Sequence, residues 1–249
     1  RVLENLKKLN IPTHLNMTIA KNINMDQMLP TIEYAASNKF IRAVVFRSYA
    51  HFGTTHLTSE NTPTIDEMIG YVDSKSNGMI SKKKVALFME LLYCLSDLFS
   101  VPVPCFNHIF LVFTRENGRH VSITDHFNLE KLEKYLKKYK NLRKSNAFYS
   151  KLYLSLGIIS ALPNLLSFDF LSKSKRLIAP LLAKKYKTSV LGDDTFHITF
   201  TRICHPLSYD SLVKENCMSL ETTPYSDGLT FSETHLLREK ILREETKLR

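Results

Sequence analysis

Long apolar runs are missing from this chain. No stretch of about 18 uninterrupted apolar residues occurs, and such a stretch is what a membrane-spanning helix requires. The nearest candidate, "LYLSLGIISALPNLLSFDFL" (152–171), is broken by Gly157, Pro163, Asn164 and Asp169. Cysteine is sparse as well. Cys94, Cys105, Cys204 and Cys217 are the only four, no two of them form a C-x-x-C pair, and no secretory leader accompanies them. That density excludes a disulfide-stapled scaffold and points to a reducing compartment, so the expected location is the cytoplasm. Internal repeats and low-complexity segments are absent too.

What is present is an apolar fraction of 44% in 249 residues, enough for a substantial core. Lys and Arg number 34 against 24 Asp and Glu, a net charge of +10. Such a charge suits nucleic acid, an anionic membrane surface or an anionic substrate. Much of the surplus lies in "KLEKYLKKYKNLRK" (131–144) and "KSKRLIAPLLAKKYK" (173–187), where Lys recurs on the solvated face of an expected helix. This pattern speaks against nucleic acid and leaves peripheral contact with anionic lipid as the alternative.

The first 50 residues carry alternating element signals. "RVLENLKKLN" has Val2, Leu3, Leu6 and Leu9 at helical spacing, and the chain opens there at Arg1 rather than at methionine, as expected for a piece of a longer protein. "THLNMTIA" (13–20) alternates like a strand. "NMDQMLPTIEYAAS" (24–37) is a helix with an Asn cap, in which Pro30 either removes one backbone bond or marks a start one turn later, and "FIRAVVF" (40–46) is a short β-branched strand. Two strands joined through a helix make a parallel pair, with the carboxyl ends of both on one sheet edge. That edge carries "KNIN" (21–24) and "RSYAHFGTTH" (47–56), including His51 and His56. Ligands of α/β sheets sit beyond such an edge.

Further along, Thr62 or Thr64 caps "IDEMIGYV", and Ser81 opens the apolar helix 81–100, where Cys94 among leucines reads as a core residue. From 107 to 127 the period changes to two, with Glu116, Asn117 and Gly118 turning a hairpin. The pattern from 128 to 187 is helical. "DTFHITFTRIC" (194–204) returns to strand, 206–217 holds a short helix, and 222–232 a turn at Ser226, Asp227 and Gly228. The apolar segment 148–182 is expected to be helical core, or a channel for acyl chains in a lipid-modifying enzyme.

In this order the motifs resemble a known superfamily. "IPTHLNMTIAKNINMDQMLPTIEYAASNKFIRAVVFRSYAHFG" (11–53) looks like the fifth and sixth βα units of a radical S-adenosylmethionine (radical SAM) barrel. "TPTIDEMI", "SVPVPC", "SITDHFNLEKLEKYL" and the closing "CHPLSYDSLVKENC" with "TTPYSDGLTFS" are similar to its tetraether-lipid-synthase and pterin-methyltransferase-like branch. The resemblance implies an α/β fold: a partial TIM-like barrel over residues 1–78, followed by an α+β extension over 79–249. It also implies S-adenosylmethionine and a 4Fe–4S cluster as cofactors, and an electron-donor protein as partner. Its substrate would be a lipid or pterin-like small molecule, modified by methyl transfer or carbon–carbon coupling through a 5′-deoxyadenosyl radical.

Two departures stand out. The C-x3-C-x2-C cluster motif of the superfamily is absent, so its ligands are expected upstream of Arg1 and this piece alone is expected to be inactive. Ser232 stands where the branch commonly has cysteine, and a hydroxyl is a poor ligand for soft iron. Asn16, Thr18, Arg47 and Ser48 are the candidates for the cofactor wall; the alternative is that they bond neighbouring backbone. Cys105, Cys204, His205 and Cys217 are the candidate ligands of an auxiliary metal, although their spacing is not that of a zinc finger and free cysteines are more often buried. The competing reading is a non-catalytic basic α/β module that binds an anionic membrane or nucleic acid.

Overall fold

The computed structural model describes residues 1–49, 57–100, 108–116, 119–161, 195–202, 220–223 and 226–230. The chain begins with helix α1 (Val2–Lys8), which buries none of its own residues. Only Leu6 of its apolar stripe packs against the core; Val2 and Leu9 stay exposed. Strand β1 (Thr13–Ile19) follows, then a 3₁₀ turn (Met25–Gln27), helix α2 (Met28–Ser37) and strand β2 (Ile41–Ser48). Pro30 falls in the first turn of α2, where its missing N–H costs nothing because the first N–H groups of a helix have no partner anyway. Strands β1 and β2 pair in parallel, as the sequence leads one to expect.

Helix α3 (Ile65–Lys75) is fixed by a capping box: the Glu67 N–H donates to the Thr64 hydroxyl while the Thr64 N–H donates to the Glu67 carboxylate. Helix α4 (Lys82–Phe99) buries Val85, Phe88, Leu91 and Cys94. The hairpin of β3 (His108–Glu116) and β4 (Arg119–Ser122) leads to helices α5 (Leu129–Ser145) and α6 (Ala147–Ala161). Strand β5 (Thr195–Arg202) completes the main sheet, and β6 (Leu220–Thr223) with β7 (Ser226–Thr230) makes a separate antiparallel hairpin.

The main sheet has the order β1-β2-β5-β3-β4, with β1, β2 and β5 parallel and β3 antiparallel to β5. Among the described residues it is an open sheet, not a closed barrel. Strand β5, which lies in the expected extension, is inserted between β2 and β3 of the same sheet. Its principal core combines Ile19, Val44, Phe46, Leu111, Phe113, Phe196, Ile198 and Phe200 with Met28, Ile32, Met68 and Val72 of α2 and α3. A second cluster joins α4, α5 and α6 through Leu87, Leu91, Cys94, Leu132, Leu136, Tyr139 and Leu154.

Arg115 ties the sheet to α2. Its guanidinium donates to the carbonyls of Ala35, Ala36, Asn38 and Ile41, at and beyond the end of α2, and to that of Thr195 at the start of β5. Helix ends leave carbonyls without intrahelical partners, and a fork of five N–H donors serves several at once. The same guanidinium lies 5.1 Å from the centre of the Phe196 ring.

Candidate functional site

A strand sends successive side chains to opposite faces, and residues paired across a ladder share a face. On β1, Leu15, Met17 and Ile19 turn inward while His14, Asn16 and Thr18 are exposed. Register then carries the polar face across the sheet. Thr18 pairs with Arg47, Arg47 with Thr201, and Thr201 with His108. One side chain from each of four neighbouring strands thus lies in a single row at the carboxyl end of the parallel strands. A second row runs Asn16, Val45, Thr199 and Phe110, and a third His14, Ala43, His197 and Val112.

The register therefore brings Asn16, Thr18 and Arg47 to one face. Ser48, one residue past Arg47, points the other way: it aligns with Ile19, is buried, and donates to the Tyr49 carbonyl at 3.3 Å. His51, His56, Cys105, Cys204, His205 and Cys217 lie outside the described residues, as does Ser232. Among the described residues no three of His, Cys, Asp and Glu come together in a way that could hold a metal ion.

The polar face is open over β1 and more enclosed toward β5. Thr18 and Arg47 are exposed, whereas Thr201 is only 4% exposed and Thr199 is also buried. Phe88 of α4 meets Phe110 edge-on, with ring centres 5.8 Å apart, whereas His108 at the start of β3 is exposed. Arg47 and His108 flank Thr201 from either side, two strand spacings or about 10 Å apart at the backbone. Desolvation first, and then the Arg47 charge, lower the His108 imidazole from its ordinary range.

His197 is pushed down to about 4, by burial first and then by His14, whose ring lies edge-on at 5.7 Å. Its Nδ1 is buried without a hydrogen-bond partner. Such an atom is rare and costly, and a ligand donor or a water would relieve it.

This arrangement supplies one permanent cation, three hydroxyls, a carboxamide and three imidazoles on one sheet face. The guanidinium suits a carboxylate or phosphate, and the hydroxyls and carboxamide suit ribose-like hydroxyls. Thr201, His108 and His197 were not singled out in the sequence. Their signal is the alternation in "HITFTR" and "HIFLVFTR", which marks faces but not neighbouring strands. No family model matches this chain, and no curated protein matches it either.

Proposed function

We propose that the chain is the C-terminal part of a radical SAM enzyme, and that the polar face of β1, β2 and β5 is part of the wall around its S-adenosylmethionine. One observation carries this reading: Thr18, Arg47, Thr201 and His108 fall in register at the carboxyl end of the parallel strands, where α/β sheets bind ligands. The donor set fits the cofactor. Arg47 would hold its carboxylate through paired N–H donors, and Asn16 and Thr18 would meet the ribose hydroxyls. Together with a 4Fe–4S cluster, the bound cofactor supplies hydrogen-atom abstraction from an unactivated carbon.

The chain's own residues position the cofactor. Thr201 is buried in the middle of the row, while Thr18, Arg47 and His108 are exposed and free to meet a ligand. Strand β1 stands at the edge of the described sheet, and an edge offers unpaired N–H and C=O groups. In the intact enzyme the preceding strand would pair there and extend the sheet toward a closed barrel.

The test is the coding sequence upstream of the Arg1 codon, followed by anaerobic reconstitution of the full product with iron and sulfide. The reading expects a continuous frame encoding C-x3-C-x2-C and release of 5′-deoxyadenosine that falls sharply in Arg47→Ala. An in-frame start with no such motif would overturn it.

A further inference from the structure

Helix α6 is mostly apolar, with Lys151 and Ser155 on one flank and Ser160 on the other. Its inner face, Ser150, Leu154, Gly157 and Ala161, is buried. The outer face carries Phe148 at 82% exposure, Tyr149 at 52%, Leu152 at 50%, Leu156 at 58% and Ile159 at 51%. At 3.6 residues per turn these five side chains fall within an arc of about 100°, so they form one continuous stripe. An apolar stripe of this length calls for an apolar partner, and among the described residues nothing covers it.

The charges around the stripe choose its occupant. Residues 129–161 carry eight Lys and Arg against two Glu, a surplus of six within the chain's +10. Glu133 is held by Lys83 and Lys137, and Lys140 and Arg143 are paired with Glu90 and Asp97 of α4, which leaves Lys131, Lys134, Lys138 and Lys144 as the cations of α5 without an ion pair among the described residues. Helix α6 itself has Lys151 and no acid. Lys138 lies 4.9 Å from the centre of the Tyr153 ring, on the flank of the stripe beside Tyr149, whereas Lys151 on the opposite flank donates to the Leu98 carbonyl of α4. A second copy of the chain would set two such surpluses against each other, which opposes self-association through this face.

An anionic bilayer satisfies both features. The apolar stripe enters the boundary between headgroups and acyl chains, while lysine stems run along it and place their ammonium groups among the phosphates. Tyr149 belongs at the same depth, with an apolar ring and a polar tip. We propose that the α5–α6 hairpin docks the protein on an anionic lipid surface, with the α6 stripe inserted and the exposed Lys134 and Lys138 at the headgroups. This inference is independent of the radical SAM reading.

The test is flotation of the full 249-residue chain with vesicles of phosphatidylcholine alone and of an equimolar mixture with phosphatidylserine. The expected result is binding to the mixed vesicles that weakens with added salt. Leu152→Asp with Leu156→Asp should reduce it about tenfold or more, since two inserted side chains are lost. Both positions are exposed, so the circular dichroism spectrum should not change. Lys134→Gln with Lys138→Gln should reduce the preference for the mixed vesicles. Failure to bind the mixed vesicles, or equal binding by the leucine variant, would overturn the proposal. So would a dimer in sedimentation equilibrium that the leucine variant dissolves.

Discussion

Replacing Arg115 by methionine removes the guanidinium while keeping most of the apolar stem. Five carbonyls then lose a donor: those of Ala35, Ala36, Asn38, Ile41 and Thr195. The 2.8 Å bond to Ile41 is the strong one, and a charge-assisted bond contributes about 1.5–3 kcal/mol. The other four run from 3.2 to 3.4 Å and count for less, because water can reach a partly buried helix end. Loss of the cation–π contact adds about 0.5–1 kcal/mol. The sum for Arg115→Met is a destabilisation of about 3 kcal/mol. Arg115→Lys, with one compact ammonium that cannot span five acceptors, should lose about half of that. Urea unfolding followed by circular dichroism reads both, with exposed Lys134→Met as the control, expected within about 0.5 kcal/mol of wild type. If Arg115→Met matches that control, the guanidinium is not what joins α2 to the sheet.

Three further predictions follow from packing and charge. A Cβ at Gly157 would lie 2.5 Å from the Tyr135 ring, so Gly157→Ala should cost about 1–3 kcal/mol by overpacking. On a Tyr135→Ala background it should cost clearly less, and additive effects in the double-mutant cycle would refute the contact. Asp97 is held at about 2 by the Arg143 guanidinium first and then by the Tyr139 hydroxyl, below its value of about 3.9 in the unfolded chain. Its contribution is therefore present above about pH 4 and is lost as the pH falls toward 2, so Asp97→Asn should flatten the fall of melting temperature in that window. An unchanged slope would contradict the pairing. Burial pushes the Cys94 thiol up to about 11, first by desolvation and then by Glu90, so iodoacetamide at pH 8, read by peptide mass spectrometry, should label Cys94 only as fast as the protein opens. Rapid native labelling would refute that.

The local elements were legible because their signals are local. Alternation in "THLNMTIA", a β-branched run in "FIRAVVF", Thr64 ahead of Glu67, and the turn at Asn117 and Gly118 each announce a strand, cap or hairpin without help from distant residues. The place of β5 was not legible, because it enters between β2 and β3 from about 150 residues beyond β2. Strand order across such a separation is set by the complementarity of whole faces, which no short window contains. The same distance hid the row. Thr18 and Arg47 could be picked from their own strands, but Thr201 and His108 become their neighbours only once the order is known. Ser48 shows the opposite limit: sequence adjacency to Arg47 guarantees, by the pleat, that the two face apart. On α6 the apolar sequence was expected in the core, yet a mostly apolar helix shows no periodicity to say which half is covered. Its outer stripe lies in solvent.

The most direct test of the proposed cofactor wall is to titrate the chain with S-adenosylhomocysteine, which keeps the carboxylate, amine and ribose of the cofactor, and to follow backbone amide shifts by NMR. The account predicts saturable shifts centred on Thr18, Arg47, Thr201 and His108 that disappear in Arg47→Ala. Absence of saturable shifts at these four residues, or shifts there that Arg47→Ala leaves intact, would contradict it.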